Sequence, residues 1–415
     1  MLFMKSKLYF IIFLLFASSY AFAQTNTLDF YIQQGMSNSP LLKDYQGQVQ
    51  ANLLDSVRIR ATYKPQVVGT SNNSYSPVIN GFGYDGAVTN GGQVSALAGV
   101  NKMIVSKKNL ASQFENLRLQ NQGIDNVSRI SEQDLIRTIT AQYIATYGSM
   151  QQLNFTKEVN ESLKKEAGVL KILTEKNVYR QTDYLTFLVT QQQQELVVKQ
   201  LAIQYRNEHA TLNYLSGIVD TASISLQPPA ITINQLPELG NSVFFRKYTI
   251  DSLQIVNSRL LIDFSYKPKL NLFADAGYNS SFAYKAYKNF GTSFGFGLTV
   301  PIYDGKQKKI QNSKLDIAER TRTYYKDFYK KQYYQQVAQL VQQLKATEEL
   351  INDINSQIKY SEGLINVNAK LLETGDARIP DLVIALNNYL TAKNLLTQND
   401  ISRLQIINQI NYWNR

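Results

Sequence analysis

The chain contains the stretch Tyr63-Lys64-Pro65-Gln66-Val67, and a related stretch, Tyr266-Lys267-Pro268-Lys269-Leu270, follows about 200 residues later. A second pair of segments is also about 200 residues apart: residues 175–183 (EKNVYRQTD) match residues 373–381 (ETGDARIPD). This interval is much longer than the repeat of a solenoid protein, which is roughly 20–50 residues. The sequence therefore predicts two structural repeats, residues 24–225 and residues 226–415, each with the same elements in the same order.

Each Lys-Pro step predicts the end of a helix, because proline lacks a backbone donor and pushes the residue before it out of the helical region. We expect these helices at about residues 28–61 and 241–264. Apolar residues then alternate with small or polar ones over residues 270–278 and 294–300, which indicates strands with one apolar face. The first repeat is weaker: residues 94–100 alternate, but residues 67–75 are mostly polar.

Two very long helices are expected after the strands, at about residues 106–173 and 306–372, because neither segment contains proline and both contain few glycines. About 65 residues at 1.5 Å each give a helix roughly 100 Å long. A turn and a shorter helix should follow in each repeat. The predicted fold is mainly α with a small transmembrane β part. Four strands are too few to close a barrel, which needs about eight, so we expect several copies to pool their strands.

The first 23 residues have the features of a secretory signal peptide: Lys5 and Lys7, an apolar run, and the cleavage motif Ala21-Phe22-Ala23. The chain has no cysteine and a single histidine, His209, which argues against disulfides and against a histidine-based metal site. We expect no metal and no cofactor. The net charge is +11, but the basic residues are scattered, so nucleic acid is not an expected partner.

We expect no enzymatic activity. The segment Gly291-Thr292-Ser293-Phe294-Gly295 spells the nucleophile pattern of hydrolases. That pattern works in a strand–turn–helix with a histidine farther along the chain. Here it enters a predicted strand, and the single histidine lies upstream.

The segment Val300-Pro301-Ile302-Tyr303-Asp304-Gly305 opens a very long helix after a strand, and it resembles the TolC-like outer-membrane efflux proteins, or outer membrane factors. Both Lys-Pro steps and the turn from Gly375 to Asp381 carry the same resemblance. It implies a homotrimer in which a 12-stranded β-barrel in the Gram-negative outer membrane continues into a 12-helix periplasmic α-barrel. It also implies two partners, a periplasmic adaptor (membrane fusion protein) and an inner-membrane transporter.

The function implied by this resemblance is a passive exit channel of a tripartite efflux system, passing small toxic compounds to the outside. Two alternatives remain open. The first is an exit duct for type I protein secretion. The second belongs to a different class, a soluble periplasmic helical scaffold.

Asp183 and Asp381 occupy matching positions after the predicted turns. They either cap a helix start or form a ring of carboxylates that narrows the tube and favours cations. The family often has a second acid three residues on, where this chain has Ile384. Arg180 and Arg378 also match across the two halves. They are either solvated turn residues, or they contact an adaptor tip or form an ion pair that holds the tube shut.

The resemblance places three further residues of the turns against the adaptor: Asn177, Gly375 and Asp376. Gly375 is expected to end its helix in a left-handed conformation. On the predicted strands, Asn271 and Asp275 are candidate lumen-facing residues, with the external loops as the alternative location. Lys306, Lys308 and Lys309 are expected to be solvated or to extend along the surface where strand meets helix.

Overall fold

A computed structural model describes residues 27–84, 91–233, 239, 242–281, 285–376 and 378–414. The predicted signal peptide lies outside these described residues. Over the described residues the element order is repeated, as the sequence predicts. The elements are α1 (Leu28–Asn38), α2 (Pro40–Thr62), β1 (Gln66–Ser76), β2 (Gly91–Ile104), α3 (Lys107–Glu175), α4 (Gln181–Leu215), α5 (Val243–Ser265), β3 (Lys269–Ser280), a short 3₁₀ turn (Ala286–Lys288), β4 (Phe290–Thr299), α6 (Gln307–Thr374) and α7 (Ile379–Trp413).

The first predicted helix is wrong in one respect, because it is two helices rather than one. Ser39 between them has an extended backbone, with φ −62° and ψ 115°. The cause is Pro40, whose ring disfavours a helical conformation at the preceding residue. Proline is itself well placed as the first residue of α2, where its missing N–H group is no loss.

The four strands form one antiparallel sheet in the order β1-β2-β3-β4. The pairing is continuous, for example Gln66 with Asn101 and Lys269 with Thr299. Because side chains alternate between the faces of a strand, the register sorts the residues into two faces. The apolar face carries the series Phe290, Phe294, Phe296 and Leu298 of β4, Leu270, Leu272, Ala274, Ala276 and Tyr278 of β3, and Val94, Ala96, Ala98, Val100 and Ile104 of β2.

The opposite face is rich in small and polar residues, including Ser293, Gly295 and Gly297 of β4. Gly277 of β3 is required for close strand packing, because a β-carbon there would collide with the carbonyl oxygen of Ala96. Most side chains of the sheet are exposed on both faces.

The chain divides into two compact units, each with segments from both halves. We call them the helical unit, which includes residues within 27–42, 130–242 and 331–414, and the sheet unit, which includes residues within 43–129 and 243–330. Across the described residues, no helix has an 18-residue segment apolar enough to span a membrane.

One core of the helical unit holds the segment without regular secondary structure that follows α4. Tyr143 and Tyr205 donate hydrogen bonds to the carbonyl oxygens of Gln227 (2.7 Å) and Ile224 (2.5 Å). His209 is buried in the same core, with its Nε2 atom 3.3 Å from the hydroxyl group of Tyr31. Burial lowers the pKa of His209, although the negative charge of Asp220 acts in the opposite direction.

In the described part of the sheet unit, the helices are joined by polar side-chain contacts rather than by a large apolar core. Asn257 of α5 donates to the carbonyl oxygen of Ser112 in α3 (3.0 Å), and Arg259 forms an ion pair with Asp316 of α6 (2.6 Å). These contacts hold the ends of α3, α5 and α6 together where they meet the strands.

Candidate functional site: two paired helix turns

The turn that ends α3 is built around a left-handed residue. Asn177 has φ 63°, and the N–H group of Val178 donates to the carbonyl oxygen of Leu173 (2.9 Å). A bond of this kind closes the end of a helix when the first residue beyond the helix end, here Asn177, adopts the left-handed conformation. Asparagine is one of the few residues other than glycine that tolerates it.

The turn that ends α6 has the same construction. Gly375 has φ 84°, as predicted, and the N–H group of Asp376 donates to the carbonyl oxygen of Leu371 (2.9 Å). The Asp376 carboxylate also accepts a hydrogen bond from the hydroxyl group of Thr374 (2.9 Å). The repeated sequence segment therefore corresponds to one turn geometry formed twice.

The helix that follows each turn starts with an Arg and an Asp three residues apart, but the two pairs differ. In α4 the backbone N–H group of Arg180 donates to the Asp183 carboxylate (3.3 Å). In α7 the guanidinium group of Arg378 forms two hydrogen bonds to the Asp381 carboxylate (2.8 and 3.0 Å). This contact raises the pKa of Arg378 and partly neutralises the Asp381 charge.

The two turns contact each other. A β-carbon on Gly375 would lie 2.8 Å from Cγ1 of Val178. The hydroxyl group of Tyr179 donates to the carbonyl oxygen of Leu372 (3.3 Å). Asp183 and Asp381 are both half-buried, whereas Asn177, Asp376 and the two arginines are exposed. The turn residues of the two halves thus form one surface, which we call the tip.

A compact apolar core supports the tip. It contains residues from all four helices that meet there: Val159, Leu163, Ala167, Leu170, Phe187, Leu372, Ile379, Leu382 and Leu386. Phe187, Leu170 and Leu372 are fully buried. Because this core lies directly beneath the turns, it restrains the backbone that carries the exposed charges.

A half-buried carboxylate lies on α3 near the tip. Burial raises the pKa of Glu166, and the negative charge of Glu373 raises it further. Sequence reasoning missed this pair, as it missed the contacts of Tyr179 and Val178, because the partners are about 200 residues apart in the chain. Across the described residues, no three histidine, aspartate or glutamate side chains form a group that could hold a metal ion.

The strand candidates belong to the sheet unit and are described separately. Asn271 and Asp275 both lie within β3, so the predicted alternative of an external loop is wrong. They project from the small and polar face, opposite Gly297 and Ser293 respectively. Ser293 donates a hydrogen bond to the Asp275 carboxylate (2.8 Å).

No protein-family model and no curated protein matches the chain. Solved structures do match it over almost its whole length. A membrane protein from Pseudomonas aeruginosa superposes with a TM-score of 0.75 at 13% identity, covering 93% of this chain and 90% of that one. The outer membrane protein VceC from Vibrio cholerae gives a TM-score of 0.73 at 12% identity, with coverages of 93% and 96%.

The open state of the MtrE outer membrane channel of Neisseria gonorrhoeae gives a TM-score of 0.71 at 12% identity, with coverages of 94% and 92%. VceC is an outer membrane protein, and MtrE is an outer membrane channel. At this identity the likeness concerns the fold. The chain has the TolC-like fold of outer-membrane channel proteins.

Proposed function

We propose that the chain forms a passive exit channel in the outer membrane of a Gram-negative-type cell, as part of a tripartite efflux system. Three copies would combine their strands into a 12-stranded barrel and their helices into a 12-helix periplasmic tunnel. An inner-membrane pump and a periplasmic adaptor would deliver small toxic compounds to it. The TolC-like fold, shared over nearly the whole chain, supports this proposal.

The observation that carries the proposal is the exposed apolar face of the sheet. Phe294 is 89% exposed, Phe296 is 72% exposed and Leu298 is 61% exposed. Large contiguous apolar surfaces are rare on soluble proteins and mark contacts with partners or membranes. The outer edges of β1 and β4 have no strand partner within the described residues. Such edges favour pairing with another chain.

The opposite face supports a water-filled interior. Glycine, serine, asparagine and aspartate are residue types expected to line the lumen of a membrane barrel, because its strands point apolar side chains outward and polar side chains inward. Asn271 and Asp275 lie on this polar face. We therefore propose that Asn271 and Asp275 face the channel.

The tip is the proposed gate and docking surface. Symmetry would place three copies of Asp381, Asp183, Arg378 and Arg180 around the tunnel end. Carboxylate rings favour cations. The left-handed residues Asn177 and Gly375, with the neighbouring Asp376, form the exposed turns that would meet the adaptor.

The first experiment is fractionation followed by electrophysiology. We expect the mature chain in outer membranes as a trimer that dissociates only on heating in SDS, and we expect ion conductance in planar bilayers. Recovery as a folded monomer after osmotic shock would reject the channel and support the soluble scaffold.

A matched pair of variants tests the orientation of the sheet. Phe296→Lys puts a charge on the apolar face, where a lysine costs about 2–4 kcal/mol in a bilayer. Gly297→Lys puts the same charge on the opposite face, where a β-carbon has open space. Phe296→Lys should prevent membrane insertion, and Gly297→Lys should insert and change conductance. Equal behaviour would contradict the proposed orientation.

Cargo is tested separately. A strain that lacks the protein should become more susceptible to small toxic compounds. Loss of a secreted polypeptide without such a change in susceptibility would favour type I protein secretion.

A further inference from the structure

One end of the sheet is bordered by lysines. At this end each strand connects to a helix, and at least one exposed lysine lies in each connection or within the strand beside it. We call the following set the lysine belt: Lys64, Lys102, Lys267, Lys306 and Lys309. All five belong to the sheet unit.

The carboxylates near this end already have partners. Asp263 forms an ion pair with Lys308 (2.9 Å), a neighbour of the belt. The Asp304 carboxylate accepts hydrogen bonds from the backbone N–H groups of Lys306 (2.9 Å) and Lys308 (2.8 Å) rather than from their ammonium groups. Asp55 and Asp316 are paired with arginines. The first turns of α3 and α6 contain no acidic residue. Within the described part of the chain no belt lysine forms an ion pair, and of these carboxylates only Asp304 lacks a cationic side-chain partner, so the net charge at this end of the sheet is positive.

Exposed apolar residues lie among the belt lysines. Ile302 is 96% exposed and Tyr303 is 84% exposed, and they lie four and three residues before Lys306. Lys102 projects from the apolar face of β2, where its strand partner is Leu272. A lysine on an apolar surface can keep its stem in the apolar region and extend its ammonium group to the polar boundary. Tyrosine is likewise enriched where hydrocarbon meets water.

We propose that the lysine belt binds the phosphate groups of anionic phospholipids at the bilayer surface from which the helices emerge. This inference rests on the proposed function, because it requires that the strands cross a bilayer. Charge complementarity identifies the partner. The belt is cationic and borders the apolar face, and anionic headgroups carry negative charge at the membrane surface where the belt would lie.

The test uses the full-length purified protein in a neutral detergent, titrated with short-chain phosphatidylglycerol or phosphatidylcholine below micelle-forming concentrations. Native mass spectrometry or thermal melting reports binding. A lysine near an anionic surface contributes roughly fivefold in affinity. We expect phosphatidylglycerol to bind at least about tenfold more tightly, and the preference to fall at high salt.

Matched variants assign the effect to the belt. The triple variant Lys64→Gln, Lys267→Gln, Lys306→Gln should lose the preference, and the corresponding Lys→Arg variant should keep it. The control variant Lys157→Gln, Lys165→Gln, Lys171→Gln removes three exposed lysines of the helical unit and should also keep it.

Three outcomes would overturn the inference: equal binding of both lipids, equal loss in the control variant, or an equal response to inorganic phosphate, which would indicate a free-anion site. Conductance is measured on the same preparations. A conducting channel without lipid preference would reject only the lysine belt, whereas absence of conductance would reject the channel itself.

Discussion

The hydroxyl group of Tyr179 donates a hydrogen bond to the carbonyl oxygen of Leu372, 3.3 Å away. Tyr179 lies in the turn between α3 and α4, and Leu372 lies in the last turn of α6. This bond therefore ties the turn of the first half to the helix end of the second half. Leu372 is itself fully buried in the core beneath the tip.

Tyr179→Phe should destabilise the tip. A hydrogen bond of this kind contributes about 0.5–1.5 kcal/mol, and its loss leaves the Leu372 carbonyl with one partner fewer. Hydrogen–deuterium exchange should speed up in both turns, because the bond joins them. Tyr184→Phe is the control, since Tyr184 packs against the same core. Faster exchange in only one turn would argue against coupling of the two.

Gly375→Ala should cost more than an ordinary glycine substitution. Gly375 has φ 84°, a conformation that costs a residue with a β-carbon about 1–2 kcal/mol. The new methyl group would also press on Val178, 2.8 Å away. The expected result is a lower urea midpoint.

The control for this substitution is Gly168→Ala within α3, where a β-carbon has open space. It should stabilise the helix by about 0.5–1 kcal/mol. A Gly375→Ala variant that unfolds at or above the wild-type urea concentration would contradict the left-handed turn.

Much of this fold was predictable because the signals are local. Both Lys-Pro steps predict helix ends, and α2 and α5 do end at Thr62 and Ser265. The alternation in β3 and β4 predicts strands with one apolar face. The polar residues of β1 gave a weak signal, yet β1 pairs with β2 along its whole length, because backbone groups supply that pairing.

The tip was predictable only in part. Gly375 and the repeated Arg and Asp positions are visible in the sequence. The contact of Tyr179 with Leu372 and the proximity of Glu166 to Glu373 are not, because they depend on how distant helices pack. The roles of Asp183, Asp381, Arg180 and Arg378 in a gate, and the repeat boundary near residue 225, stay predictions.

Asp381→Asn should raise conductance and reduce cation selectivity in planar bilayers, if three copies of Asp381 line the tunnel end. It should change stability little, because Arg378 is exposed and Asp381 is only half-buried, and ion pairs at the surface contribute little. Asp376→Asn in the adjacent turn is the control and should leave selectivity unchanged. Unchanged conductance and selectivity in Asp381→Asn would reject its role as a constriction.

Glu166 should make the tip less stable as the pH rises. Its pKa is raised in the folded protein above the ordinary value of 4.5, so the folded state binds the proton more tightly than the unfolded state. The contribution of Glu166 to stability is therefore fully present below about pH 4.5, and it is lost as the pH rises through the folded pKa. Glu166→Gln should remove this slope and stabilise the tip at neutral pH.

The control for Glu166 is Glu348→Gln, because Glu348 is exposed on α6. Urea unfolding is measured across a pH series. A slope that survives in Glu166→Gln would assign the effect to another group.

Gly148 of α3 marks close packing against α7. A β-carbon at Gly148 would collide with the side chain of Ile401. Gly148→Ala should therefore destabilise the protein by about 1–3 kcal/mol, as overpacking does, although alanine favours a helix more than glycine does. Gly363→Ala in α6 is the matched control, because a β-carbon there has open space, and it should be neutral or stabilising.

Adding Ile401→Ala to Gly148→Ala should cost less than the sum of the two single changes, since residues in contact couple. Urea unfolding of the four variants measures this coupling, and strict additivity would show that Gly148 and Ile401 do not touch.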